Sequence, residues 1–301
     1  MTKSTRILVL GADGMLGHKV CQALGETYQV WGTTRRQRAS LARYGFLPPD
    51  RCLGHVDARS MSSVLQAMES CKPDTVVNCI AVLKQSCRTD SSVESIRVNS
   101  WLPRVLAREC RITGVRLIQV STDGVFAGSK GCYKETDQPD ATDLYGISKL
   151  LGEVDEPGCL TLRTAPIGRE IRTSRGLVEW FLSKKRGDEV RGFTKALFSG
   201  LSSLALSRIL LELVTEHKAL GGIYHLASSP ISKYRLLTLL NQAYDRRITI
   251  RPCDVPEIDR TLDGTKLRRV TGIEPPSWET MVQGMVSDPT PYALWRSYHA
   301  N

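Results

Sequence analysis

A parallel β-sheet wound on both faces by helices is the fold that three features of the chain predict. An apolar run, Arg6 to Leu10, meets the turn Gly11-Ala-Asp-Gly-Met-Leu-Gly17, and a segment of helical spacing, His18 to Leu24, follows. Short apolar runs then alternate with amphipathic stretches as far as Cys159 to Arg163, the pattern of β-α-β units. Finally, Leu117-Ile-Gln-Val120 delivers Ser121 and Thr122 to a strand's carboxyl end, where open α/β sheets bind their ligands. The expected class is α/β: a Rossmann-type doubly wound parallel sheet with a smaller C-terminal substrate lobe.

The opening turn has a physical logic. Gly11 makes it tight, Gly14 lets the backbone approach a pyrophosphate, and Gly17 lets the helix pack with its N-terminus facing the phosphate. Tyr28 to Thr34 reads as the second strand. A carboxylate at its end would hold a ribose 2′-hydroxyl, but Thr34, Arg35 and Arg36 stand there instead. Guanidinium groups bind a 2′-phosphate through charge-assisted bonds, so NADPH is expected over NADH.

Residues 37–56 look irregular, and Val56-Asp57 fits the end of a third strand. Ser60 to Glu69 reads as a helix, and Pro73 to Ile80 as a strand that delivers Ala81, Val82 and Lys84 to the ligand side. Ser92 to Cys110 has helical apolar spacing, with Asn99 inside it. Beyond the strand Cys159 to Arg163 the organisation changes, as Ile171 to Arg186 carries Trp180 and a Lys-Lys-Arg run. Ser202 to Glu216 is amphipathic, Gly222 to Leu226 a strand, Ser232 to Ala243 a helix and Arg247 to Ile250 a short strand. Pro275-Pro-Ser-Trp278 precedes a final helix.

The stretch that carries chemistry is Gln119 to Phe126 followed by Leu144-Tyr-Gly-Ile-Ser-Lys-Leu-Leu-Gly152. On a helix, Tyr145 and Lys149 share one face, so the ammonium can sit beneath the phenol. A free Tyr titrates near pH ~10, and a neighbouring cation favours its phenolate, which makes Tyr145 a candidate acid or base.

The N-terminal glycines, Ser121-Thr-Asp123 and the Tyr145/Lys149 pair together resemble the extended short-chain dehydrogenase/reductase family. Ser121-Thr-Asp-Gly-Val-Phe126, Tyr133, Glu135, Pro139 and Tyr145 to Lys149 are similar to its dTDP-4-dehydrorhamnose reductase branch. The resemblance implies NADPH-dependent reduction of the 4-keto group of a nucleotide-linked 4-keto-6-deoxyhexose, with Thr122, Tyr145 and Lys149 catalytic. It assigns Gly11, Asp13, Gly14, Met15, Leu16, Arg35, Arg36, Asp57, Ala81 and Asn99 to the NADP(H) side, and Val82, Lys84, Trp180 and Arg260 to the substrate. Arg260 falls in Arg260-Thr-Leu-Asp263, similar to the family's C-terminal segment near the nucleotide sugar. Gly222 to Leu226 resembles a return to the main sheet, which makes the lobe discontinuous. The expected division is 1–164 plus 200–228 for the Rossmann domain, and 165–199 plus 229–301 for the lobe. A nucleotide-diphosphate sugar is the expected partner and a homodimer the expected assembly.

Sister activities share this frame. Dehydratases of the family generally carry Asp-Glu after the Thr, whereas Asp123-Gly124 stands here, which argues against dehydration. A 4-epimerase, and a non-catalytic NADP-binding regulatory subunit like that of methionine adenosyltransferase, are the alternatives.

The formal net charge of +10 suits a ligand with several phosphates; the basic clusters lack interleaved aromatics, which argues against nucleic acid. Nine scattered Cys residues without a C-x-x-C pair, and five His without ligand spacing, give no metal site and no disulfide framework. No run approaches the ~20 apolar residues of a membrane span, and no signal-peptide pattern opens the chain. A cytoplasmic location is expected.

Overall fold

The computed structural model describes residues 5–83 and 92–299. Seven parallel strands form the main sheet: β1 (Arg6–Leu10), β2 (Gln29–Thr33), β3 (Cys52–Leu53), β4 (Thr75–Asn78), β5 (Arg116–Val120), β6 (Cys159–Arg163) and β11 (Gly222–His225). Their order is β11-β6-β5-β4-β1-β2-β3. The winding reverses between β1 and β4, so the carboxyl ends of these two strands open onto the crevice where such sheets bind ligands.

Alternation along each strand builds two cores. In β1, Ile7 and Val9 join the core on one face, and Leu8 and Leu10 the core on the other. The first face is covered by α1 (Gly17–Gly25) and α8 (Ser203–Thr215), which pack on each other. The second is covered by α3 (Met61–Cys71) and α5 (Leu102–Thr113), through Val64, Met68, Leu102 and Leu106. Each fully buried aliphatic side chain is worth ~1.5–3 kcal/mol relative to water.

Several boundaries differ from expectation. The stretch 37–56 holds α2 (Arg38–Ala42) and a 3₁₀ turn, Pro49–Arg51. β3 ends at Leu53 rather than at Val56-Asp57, because His55 takes a left-handed φ of 58°. The chain still tracks β2 past that point, with the Val56 amide bonded to Thr34 O at 3.0 Å. The expected helix from Ser92 is α4 (Ser92–Ser95), then a π-helical turn, Ile96–Trp101, then α5. π-turns place a residue out of register with the flanking helix, and this one carries Asn99.

Smaller sheets lie beyond β6. β7 (Pro166–Ile167) pairs with β10 (Leu201–Ser202), and β8 (Glu189–Phe193) with β13 (Thr249–Cys253). β9 (Ala196–Phe198) lies between β12 (Ile231–Ser232) and β14 (Ile258–Asp259). β13 begins two residues later than the expected Arg247 because Arg247 has φ 56°. Among them run α7 (Leu177–Leu182), α9 (Lys233–Ala243) and α10 (Thr265–Thr271). Ser202 and Ser232 start α8 and α9 by accepting the amides of Ala205 and Arg235, each at 3.1 Å.

The helix expected after Pro275 is α11 (Trp278–Val286), capped by Ser277, but it is not the last. α12 (Tyr292–Ser297) follows and docks on α1. Lys19 meets Asp288 at 2.7 Å with both side chains almost wholly buried, and Nε2 of His18 lies 3.0 Å from Tyr292 Oη. No helix of the described residues is long and apolar enough to cross a membrane.

The Lys19–Asp288 pair gives a stability test. Asp288→Ala leaves a buried ammonium without its counter-charge, and such a loss costs ~3–5 kcal/mol. Urea denaturation should show that drop; a change below ~1 kcal/mol would mean that the pair is solvated.

Candidate functional site

Thr122 stands one residue beyond Ser121 at the end of β5. Its hydroxyl accepts the Gly124 amide at 3.0 Å and donates to Asp123 Oδ1 at 3.2 Å, capping a 3₁₀ turn, Asp123–Val125. A methyl group at Gly124 would lie 3.2 Å from Thr122 Oγ1 and 3.3 Å from Cε1 of Tyr145. The hydroxyl and the phenol ring therefore flank the same small residue.

Tyr145 and Lys149 lie on α6 (Leu144–Leu151), which Asp143 caps by accepting the Gly146 amide at 2.9 Å. Lys149 is only 3% exposed, and its Nζ donates to Val120 O at 2.7 Å. Burial pushes the ammonium down to about 8 from an ordinary 10.5, with the Glu153 charge opposing.

Glu153 belongs to a buried network beneath the site. Its two oxygens accept from Arg163 Nε at 2.8 Å and Nη2 at 2.7 Å, and Oε1 also accepts from Ser121 Oγ at 2.7 Å. Arg163 Nη1 lies 3.3 Å from His225 Nε2, and His225 Nδ1 lies 3.0 Å from Tyr133 O. A carbonyl can only accept, so the Nδ1 proton faces Tyr133 and Nε2 accepts from the guanidinium. Burial and then the Arg163 charge hold the His225 pKa down at about 4, which keeps this ring neutral.

The glycine turn is tight. Gly11 has φ +79°, and a Cβ at Gly17 would stand 2.0 Å from Gly11 O, so neither position tolerates a side chain without rearrangement. Gly14 is exposed at the mouth of this cradle, and Met15 beside it is partly exposed. Leu16 turns instead into the core.

Asn99 Oδ1 accepts the Val82 amide at 2.8 Å, and its Nδ2 donates to Val82 O at 3.0 Å and Ser148 Oγ at 3.1 Å. It thus clamps the segment after β4, which holds Ala81 and Val82, to the helix that carries Tyr145. Asp57 is engaged locally by Arg59, whose guanidinium holds its carboxyl below the usual range. Lys84 lies outside the described residues.

The arginines after β2 part company. Arg35 is 63% exposed and 3.8 Å from Glu94, whereas the Arg36 amide is bonded to Thr34 Oγ1 at 3.2 Å. Asp13, in the glycine turn, accepts from Thr34 Oγ1 at 2.9 Å and pairs with Arg172 at 2.5 Å. Arg172 was not an expected site residue.

A cavity of about 270 Å³ adjoins the Thr122 turn, lined by Asp123, Ile167, Phe198, Lys233 and Arg260 among others. Arg260 Nε donates to Phe126 O at 2.9 Å, which anchors the expected substrate residue at this wall. Trp180 is not part of the lining; it sits on α7 with the Lys184 ammonium 5.0 Å from its ring.

Lys233 is a second residue beside the expected site that the sequence did not single out. Its ammonium lies 3.5 Å from the centroid of the Phe198 ring, and burial pushes it down to about 8, with the Asp123 charge opposing. Burial acts on Asp123 in the other direction and raises its carboxyl. One signal was available: Lys233 is the first residue of α9 after the Ser232 cap. A cation there opposes the helix dipole, and a broken local rule points to a use elsewhere.

Comparison with known proteins bears on the family and the fold. A family model described as the RmlD substrate binding domain matches residues 5–290. A dTDP-4-dehydrorhamnose reductase of Streptomyces griseus is 34% identical over 149 residues, 49% of this chain and 43% of that protein. The chain thus spans under half the length of that relative. The probable low-salt glycan biosynthesis reductase Agl14 of Haloferax volcanii is 30% identical over 231 residues, 73% of each chain. In fold, the chain is similar to a crystal structure of dTDP-4-dehydrorhamnose reductase from Bacillus anthracis in complex with NADP. The TM-score is 0.78 at 20% identity, covering 94% of this chain and 99% of that one. With nearly its whole length matched and the Thr122, Tyr145 and Lys149 pattern in place, the chain belongs to the RmlD substrate-binding-domain family of extended short-chain dehydrogenases/reductases.

Proposed function

We propose that the protein is an NADPH-dependent reductase of the 4-keto group of a nucleotide-linked 4-keto-6-deoxyhexose. The observation that carries the reading is the meeting of Thr122 and Tyr145 around Gly124, with Lys149 buried one helical turn on and a cavity of about 270 Å³ lined by the neighbouring Asp123. Relatives named as dTDP-4-dehydrorhamnose reductases support the substrate class.

The glycine turn, with the helix N-terminus behind it, holds the pyrophosphate of the dinucleotide. NADPH, when bound, supplies the hydride that reduces the sugar carbonyl carbon. The Thr122 hydroxyl, now donating to Asp123, turns to the carbonyl oxygen and donates a hydrogen bond to it. Tyr145 Oη releases its proton to that oxygen as negative charge develops there. The Lys149 ammonium, held by Val120 O, lies one helical turn from Tyr145 and stabilises the phenolate left behind. Asp123, Lys233 and Arg260 line the wall that meets the polar edge of the nucleotide sugar.

Positioned proton transfer contributes ~10²–10⁴-fold. Tyr145→Phe should therefore lower turnover with 4-keto sugars by at least about a hundredfold, with NADPH affinity by fluorescence titration unchanged. Near-normal turnover would remove Tyr145 from the mechanism. An absence of NADPH oxidation by the wild type across a panel of nucleotide-linked 4-keto sugars would sink the reductase reading.

The Lys149 charge sets a pH dependence. Its pKa in the fold, about 8, lies below the ordinary 10.5, so the charge is present below about 8 and lost as pH rises through it. Turnover should fall on the alkaline side of about pH 8. Stability from this group moves oppositely, since the penalty for burying the ammonium fades between about 8 and 10.5. A pH–rate profile flat to pH 10 would contradict the role given to Lys149.

A further inference from the structure

Arg172 lies in the segment between β7 and α7, yet its guanidinium reaches back 159 residues to pair with Asp13 in the glycine turn. Asp13 is itself fixed by the buried Thr34 hydroxyl, and Thr34 follows directly on β2. This is the place at which dinucleotide-binding sheets read the ribose 2′ position. Arg36 is bonded there through its amide, and its guanidinium makes no hydrogen bond or ion pair among the described residues. Arg35 is turned toward Glu94.

His299 lies on the same surface. Arg43 Nη2 lies 3.2 Å from His299 Nδ1, and Tyr44 Oη 2.6 Å from its Nε2. Burial, then the charges of Arg43, Arg172 and Arg36, hold this imidazole below its ordinary pKa, with Asp13 opposing. Arg36 and Arg43 thus add their guanidinium charges near the Arg172–Asp13 pair, all acting on His299. A phosphate monoester at neutral pH carries about −1.5 to −2, which suits a basic surface of this kind.

We propose that Arg172, rather than Arg35, joins Arg36 in binding the 2′-phosphate of NADPH. Asp13 aims the Arg172 guanidinium at the site, as a carboxylate that fixes one edge of the fork and leaves the other free for phosphate oxygens. A residue distant in sequence from the Rossmann motifs thereby completes the nucleotide site and sets cofactor choice. The proposal rests on the reading of the chain as an NADPH-dependent reductase.

The test is a set of binding titrations followed by intrinsic fluorescence or calorimetry, with NADPH, NADH, 2′,5′-ADP and 5′-AMP as probes. A charge-assisted bond corresponds to roughly ten- to over a hundredfold in affinity. Arg172→Ala should weaken NADPH and 2′,5′-ADP by about that factor, while NADH and 5′-AMP change by less than about threefold. Arg172→Lys, which keeps the charge but loses the fork, should fall between, and Arg35→Ala should leave all four ligands within about threefold. Equal losses for NADPH and NADH would make Arg172 a structural tie to Asp13 and overturn the proposal. So would an unchanged affinity for 2′,5′-ADP. A wild-type chain that binds neither dinucleotide removes the reductase reading and this proposal together, whereas an NADPH preference that survives Arg172→Ala removes this proposal alone.

Discussion

A carboxylate cut off from water must be met by several donors at once, or the charge is too costly to bury. Glu153 is 5% exposed and meets this demand with Arg163 and Ser121. The donors come from the carboxyl ends of β5 and β6, and His225, at the end of β11, supports Arg163 from the other side. Three neighbouring strand ends are thus locked in register beneath Thr122. The same negative charge offsets part of the cost of burying Lys149. The position of Thr122 is therefore set one layer below it, by the buried Glu153–Arg163 ion pair.

Much of the framework was legible from apolar periodicity and glycine placement. The strands Arg6–Leu10 and Cys159–Arg163 stand where the apolar runs put them, and Ser202 and Ser232 start helices as small polar residues do. The boundaries that moved did so for local backbone reasons, as with the left-handed residues His55 and Arg247. The turn around Asn99 follows helical spacing in sequence and departs from it in space, since a π-turn adds a residue without disturbing the apolar pattern on either side.

The candidate site divides along the same line. Tyr145 and Lys149 are brought together by helical spacing alone, and Thr122 precedes them at the end of an apolar run legible as a strand. Lys233 and Arg172 arrive from the region between and beyond the smaller sheets, and no periodicity relates them to Asp123 or Asp13. Arg35 and Arg36 are equivalent as letters, but the amide of Arg36 is tied to Thr34 while Arg35 leans on Glu94. Adjacent residues on one loop thus take different partners, which composition cannot reveal. Trp180 has the chemistry of a stacking platform, but it does not line the cavity and has the Lys184 ammonium over its ring instead.

The docking of the C-terminal segment on α1 has a practical consequence. Asp288, Tyr292 and His299 all lie within a dozen residues of one another, and they reach Lys19, His18 and Tyr44 respectively. Without the residues after Val286, Lys19 and His18 of α1 would lose Asp288 and Tyr292 immediately behind the glycine turn, and Tyr44 would lose His299.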